Sequence, residues 1–242
     1  GDPNKMFIVE WRDMAYTSNS ASQMCTYQAV FYDVTNEIEF KYSDSCYNQY
    51  DAGTVGFMDS TKTKGQTLRH STGTSFEGSN IHPYNYRFTT GSENGSAESF
   101  DRGLTELVNA DATAITGSSL GRPYGAYCAS AYWWTTSNSA GCADNIAMPE
   151  GFNFTYFGTD YNYTDSDGNA TNDRINIGRH GNMHFSTNNN IVRTMDTARG
   201  DMPTIPTTDN EAPAGLIAPF WSYYSTYSVS YTHLTLPTRL SV

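Results

Sequence analysis

A chain of 242 residues with a formal charge of −11, 16% charged side chains and 14% aromatic ones is too aromatic for a disordered polymer and too acidic for a nucleic-acid binder. Phosphate recognition needs clustered Lys and Arg, and here 14 basic residues face 25 acidic ones. No apolar run is long enough to span a bilayer, so neither nucleic acid nor membrane insertion is expected. Tyr, Gly, Ser, Thr and Asn are abundant, a mixture poor in helix formers and rich in strand and turn formers. The fold predicted is all-β: an antiparallel β-sandwich with long loops and at most one short helix.

Residues 6–12 alternate, with Met6, Ile8 and Glu10 on one side and Phe7, Val9 and Trp11 on the other. Residues 26–33 repeat the pattern, Tyr27, Ala29 and Phe31 opposing Gln28, Val30 and Tyr32. The segment from Asp33 to Asn36 supplies turn chemistry, and Ile38, Phe40 and Tyr42 then alternate with Glu37, Glu39 and Lys41. Together they predict a β-hairpin with a solvated charged side and an aromatic side facing a core. Residues 53–58 and 84–90 read as further strands, 91–99 as linker, and 100–109 as the one candidate helix. Residues 112–150 are rich in Gly, Ser and aromatics. Strand patterning returns at Phe152, Phe154 and Tyr156, followed by a polar loop at 159–173 and a hairpin over 174–186 that turns at His180, Gly181 and Asn182. Residues 187–215 read as loop. A short strand from Leu216 to Trp221 contains Pro219, which belongs at an edge or a bulge.

Four cysteines, Cys25, Cys46, Cys128 and Cys142, allow three pairings, of which proximity favours Cys25–Cys46 and Cys128–Cys142; four free thiols are the alternative. Each bridge would stabilise by about 3 kcal/mol through loop closure. Asp165, Asp167, Asn169 and Asp173 place side-chain oxygens at alternate positions of one loop, the spacing that calcium coordination uses. Ala170 stands where such loops turn on Gly, so a solvated acidic loop is the competing reading. Tyr132, Trp133 and Trp134, with Tyr127, could stack on sugar faces, or fill a core beside a disulfide. His180 and His184 lack the Glu of a zinc helix and straddle a turn, and Ser119 in its Gly-x-Ser-x-Gly setting is followed by Pro123 and Gly125 rather than a helix. Sequons at Asn94, Asn153, Asn162 and Asn169 suit an exported surface. No carboxylate pair stands out for glycoside hydrolysis.

Taken as a set, Phe152–Gly158, Ile175–Phe185, Leu216–Trp221, Phe7–Trp11, Thr26–Tyr32 and Asn36–Tyr42 resemble nidogen-like sandwich modules of secreted and cell-surface proteins in bacteria and archaea. In such modules the later-numbered set comes first. The resemblance therefore implies a fragment: residues 1–90 as the C-terminal half of a module, 91–145 as linker and disulfide-bearing aromatic segment, and 146–228 as the N-terminal half. Half-sandwiches carry complementary faces and edges, so Trp11 and Phe31 are expected in one core with Phe154 and Phe220. Residues 229–242 resemble a translated sequencing adapter and are set aside as an artefactual tail. The resemblance implies a non-catalytic, extracellular or cell-surface structural and adhesion module with calcium as the only cofactor candidate. Its partners would be other domains of the same polypeptide, surface glycans or extracellular proteins. The alternative function is a carbohydrate-binding accessory module of a secreted hydrolase.

Overall fold

A computed structural model of the chain describes residues 6–15, 24–43, 46, 53–71, 85–89, 96–100, 103, 112–115, 142–147, 151–162, 174–178, 181–185, 205, 214–222 and 231–235. Among these residues every regular element is a strand. One sheet, A, contains β1 (Met6–Ala15), β2 (Met24–Tyr32), β3 (Glu37–Tyr42), β6 (Asn85–Thr89), β7 (Ser96–Phe100), β8 (Ala112–Ile115) and β15 (Tyr231–Thr235), in the order β7-β6-β3-β2-β1-β15-β8. The other, B, contains β4 (Gly53–Met58), β5 (Gly65–Ser71), β9 (Cys142–Ala147), β12 (Arg174–Gly178), β13 (Asn182–Phe185) and β14 (Leu216–Ser222), in the order β5-β4-β14-β13-β12-β9. A two-stranded hairpin, β10 (Asn153–Tyr156) and β11 (Thr159–Asn162), stands apart from both. All described pairings are antiparallel.

The alternation read from the sequence explains why these sheets stack. Phe7, Val9, Trp11, Tyr27, Ala29, Phe31, Ile38, Phe40 and Tyr42 all turn to one side of sheet A and enter one buried cluster with Val55, Phe57, Ile175, Ile177, Met183, Phe185, Ile217 and Phe220 of sheet B. Trp11, Phe31, Phe154 and Phe220 share this core, as expected, and the Phe31 and Phe154 rings meet edge to face at 5.4 Å. Phe57 of β4 stacks on Phe88 of β6 at 4.1 Å, and Tyr27 meets Phe220 at 5.7 Å. Such pairs add about 0.5–1.5 kcal/mol each beyond the area they bury. Opening and closing parts of the chain also interleave by backbone pairing, because β14 lies between β4 and β13.

Pro219 lies in a bulge of β14 between Ala218 and Trp221, as its missing N–H requires. The bulge frees the Pro219 carbonyl, and the Tyr42 hydroxyl of sheet A donates to it across the core. At the turn before β13, Gly181 takes a left-handed φ of 79°, and a Cβ there would collide with the Phe220 carbonyl and the Tyr27 hydroxyl. Only glycine fits.

The hairpin β10–β11 closes one end of the sandwich. Phe157 and Gly158 both have positive φ, 49° and 76°, between the register partners Tyr156 and Thr159. That is the two-residue turn whose twist suits a hairpin. Its backbone is held from sheet A: the N–H of Asn153 donates to Asp33 Oδ1 at 2.7 Å and that of Thr155 to Asn36 Oδ1 at 2.6 Å. From sheet B it is held by the Tyr156 hydroxyl, which lies 3.0 Å from the Leu216 carbonyl and accepts from the Met58 N–H at 3.2 Å.

Several expectations need revision. Thr159–Asn162 is a strand and not the start of a loop, because its partner β10 immediately precedes it. Ser96–Phe100, placed in the linker and at the head of the candidate helix, is β7; it pairs with the N–H and C=O groups that β6 would otherwise leave open. Strands β8 and β9 fall inside the segment read as linker and aromatic bridge. Residues 231–235 of the tail set aside as adapter-like form β15 between β1 and β8.

Candidate functional site

Because a strand sends alternate side chains to opposite faces, each sheet has a second face turned away from the shared core, and both carry polar clusters. On sheet A, Glu10, Gln28 and Lys41 occupy one rung across β1, β2 and β3. Ile8, Val30, Glu39 and Arg87 occupy the next, which extends to β6. Glu10 and Glu39 are only 2% and 1% exposed, and Gln28 is fully buried. The hairpin's charged side was expected to be solvated; instead Glu39 is buried and paired, while Glu37 and Lys41 stay half-buried.

Glu39 is the hub of that cluster. Its carboxylate accepts from Arg87 Nε at 2.7 Å and from the Tyr32 hydroxyl at 2.9 Å, and lies 3.1 Å from Lys41 Nζ. Burial alone would raise its pKa, but Arg87, Lys41 and Tyr32 outweigh burial and hold the carboxyl below its ordinary range. Burial and the Glu39 charge in turn push the Tyr32 phenol up, and hydrogen bonding to Glu39 pushes Arg87 up. Beside it, Gln28 Nε2 donates to Glu10 at 2.7 Å. A carboxylate with its acceptor positions filled by fixed cations is suited to joining β2, β3 and β6. It is poorly suited to accepting and releasing protons near neutral pH.

On sheet B the outward face carries Asn182 and His184 of β13 and Trp221 of β14, all fully buried. Trp221 belongs with Met58, Ile205, Leu216 and Ala218 to a second apolar cluster, separate from the main core. Both amide atoms of Asn182, both ring nitrogens of His184 and the Trp221 indole nitrogen lack a hydrogen-bond partner among the described residues. Burial pushes the His184 imidazole down from an ordinary 6.5 to about 4. Ile205 closes over this face: its N–H donates to Thr67 Oγ1 at 2.6 Å, and that hydroxyl lies 2.8 Å from the Ile205 carbonyl. Gly56 permits the approach, since a Cβ there would meet the Gln66 carbonyl and come within 3.1 Å of Ile205.

Of the residues picked from sequence, Cys25 and Cys46 are disulfide-bonded, tying β2 to the chain just beyond β3. Asn153 is exposed on β10, and His184 is buried in β13. Asp165, Asp167, Asn169, Asp173, Ser119, Tyr127, Tyr132, Trp133, Trp134, Cys128, His180 and Asn94 lie outside the described residues, as do the side chains of Cys142 and Asn162. Among the described residues no group of three or more His, Cys, Asp or Glu could hold a metal ion. Also among them, no helix is long and apolar enough to cross a membrane.

Sequence reasoning missed the Glu39–Arg87 pair, the Asp33 and Asn36 caps and the Asn182–His184 face. The alternation placed Glu39 on the right side of its strand, but nothing local says what lies over that side. Asp33 and Asn36 read as turn formers, and their second task depends on a hairpin some 120 residues away.

Residues 1–109 match a family model described as NIDO related, so the opening part of the chain, through β7, is similar to a nidogen-related module. No curated protein and no solved structure matches the chain.

Proposed function

We propose that this protein is a non-catalytic structural and adhesion module of a larger secreted or cell-surface protein. The observation that carries the reading is the Cys25–Cys46 disulfide within a segment similar to nidogen-related modules, since such bridges persist in oxidising, extracellular settings. The way polar groups are used supports it. Glu39, Asp33, Asn36 and Asp59 all point their side-chain oxygens at neighbouring strands or turns, where they serve architecture. Asp165, Asp167, Asn169 and Asp173 are proposed as a calcium loop, and Tyr132, Trp133 and Trp134 as the residues that contact a surface glycan.

The test is secretion into an oxidising compartment, followed by peptide mapping and binding to arrays of surface glycans and extracellular matrix proteins. A Cys25–Cys46 linked peptide together with saturable binding to a surface component is the expected result. Reduced Cys25 and Cys46 in the secreted, active protein, or turnover of a substrate by purified protein, would overturn the reading. Calorimetric titration with calcium, in the native chain and in Asp165→Asn/Asp167→Asn, decides the metal separately: heat in the first and none in the second is expected.

A further inference from the structure

The hairpin β10–β11 turns two unlike faces to its surroundings. Phe154, Tyr156 and Tyr161 are buried in the main core, whereas on the other face Asn153 and Asp160 are exposed and Thr155 is half-buried. Thr155 and Asp160 are register partners, and the Thr155 hydroxyl donates to Asp160 Oδ1 at 2.7 Å. Asn153, Phe154 and Thr155 also form an Asn-x-Thr sequon. Alternation puts its acceptor amide and its hydroxyl on the outward face and hides the apolar residue between them. The backbone is fixed by Asp33 and Asn36, but the Asn153 side chain is held lightly, its Nδ2 donating to the Gly151 carbonyl at a long 3.4 Å. An amide nitrogen carries two N–H donors, so one can be replaced while the other keeps that contact. A group attached there extends away from Phe154 and displaces nothing in the core.

We propose that Asn153 carries an N-linked oligosaccharide, an inference that rests on the exported setting proposed above. In the transfer, Asn153 Nδ2 forms a bond to C1 of the first sugar, and the bond from that carbon to the pyrophosphate of a lipid-linked donor breaks. Nδ2 gives up one proton, and the lipid pyrophosphate leaves. Thr155 has a separate part: its hydroxyl, two residues on and on the same face, is the group a transferase reads, and a serine can supply it as well. Once the hairpin has closed, Asp160 holds that hydroxyl and Phe154 is buried, so the transfer belongs to the open chain and precedes docking of β10. The finished hairpin, which among the described residues pairs with neither sheet, then keeps a bulky hydrophilic chain over its outward face.

The full chain, secreted from a eukaryotic host, is digested with and without peptide N-glycosidase in heavy-oxygen water and mapped by mass spectrometry. Asn153 should be recovered as labelled aspartate after the enzyme, and its bare peptide should be missing before it. Asn153→Gln and Thr155→Ala should lose the label at this position, and Thr155→Ser should keep it. Full chain folded unmodified in a bacterial periplasm, then offered the transferase and its lipid-linked donor, should stay bare at Asn153. A bare Asn153 in secreted chain that yields the Cys25–Cys46 linked peptide would sink the proposal and leave the exported setting standing. So would sugar confined to Asn94, Asn162 or Asn169, or a label at Asn153 that survives Thr155→Ala. Full modification of the folded chain would refute transfer before docking. Reduced Cys25 and Cys46 in the secreted chain would remove the exported setting and the proposal together.

Discussion

Gly181 and Glu39 show how single side chains hold this sandwich, one by having no side chain at all. Gly181→Ala forces a methyl against the Phe220 carbonyl at a left-handed backbone position, and the Phe220 N–H already donates to the Gly181 carbonyl at 3.1 Å. Relaxation must therefore move two strands. A loss of about 2–4 kcal/mol is expected in urea unfolding, against about 1–2 kcal/mol for Gly158→Ala, whose Cβ would meet nothing but whose φ of 76° is also left-handed. Glu39→Gln removes the charge that Arg87 and Lys41 surround and should cost about 1–3 kcal/mol, the exposed side of Arg87 limiting the loss. The same group predicts a pH trend. Its folded pKa lies below the ordinary carboxylate value, so its contribution is complete above that value and fades as acid protonates the folded form. Unfolding titrations of native chain and Glu39→Gln should converge at low pH.

The hairpin β10–β11 illustrates how an element is placed by groups remote from it. Removing the Tyr156 hydroxyl with Tyr156→Phe leaves the Met58 and Leu216 backbone groups one partner short in a buried place, so about 1–2 kcal/mol should be lost with the fold retained. Asp33→Ala/Asn36→Ala acts from the opposite sheet. Exchange measurements on that variant should show loss of protection at Asn153 and Thr155, whose N–H groups those side chains accept, before any loss in β2. Cys25 and Cys46 close a 21-residue separation across the β2–β3 hairpin. Reduction should lower the unfolding free energy by about 3 kcal/mol, read as a shift in the denaturant midpoint.

As a molecule, the protein is held together by strands from distant parts of the chain. The family match ends at residue 109, yet β4 and β5 belong to a sheet completed by β9, β12, β13 and β14, all beyond that point. Residues 1–109 alone would keep two strands of sheet B and lose Phe154, Phe185, Ile217 and Phe220 from the core. Two isolated strands are marginal in water, and the aromatic face of sheet A would stand open. Expressed separately, residues 1–109 should aggregate or unfold without a cooperative transition, whereas the full chain should unfold cooperatively by circular dichroism.

The strands with strict alternation, β1, β2, β3 and β13, and the two-sided assignment of their side chains were legible from the residues alone. Burial of an aromatic every second position leaves one local geometry, the extended strand, and one face to hide. The joint core of Trp11, Phe31, Phe154 and Phe220 was legible for the same reason, since two aromatic half-layers must cover each other. Ser96–Phe100 and Thr159–Asn162 were not, because polar strands carry no periodic signal and owe their form to the edge they pair with. Which polar side chains end up buried was also beyond the reach of local pattern. Glu39 and His184 occupy equivalent outward positions, but one meets Arg87 and Lys41 and the other stands opposite Leu216, fully buried. Alternation settles the direction in which a side chain points; only long-range contacts settle whether water, a counter-charge or hydrocarbon waits there, and hence whether the group is charged.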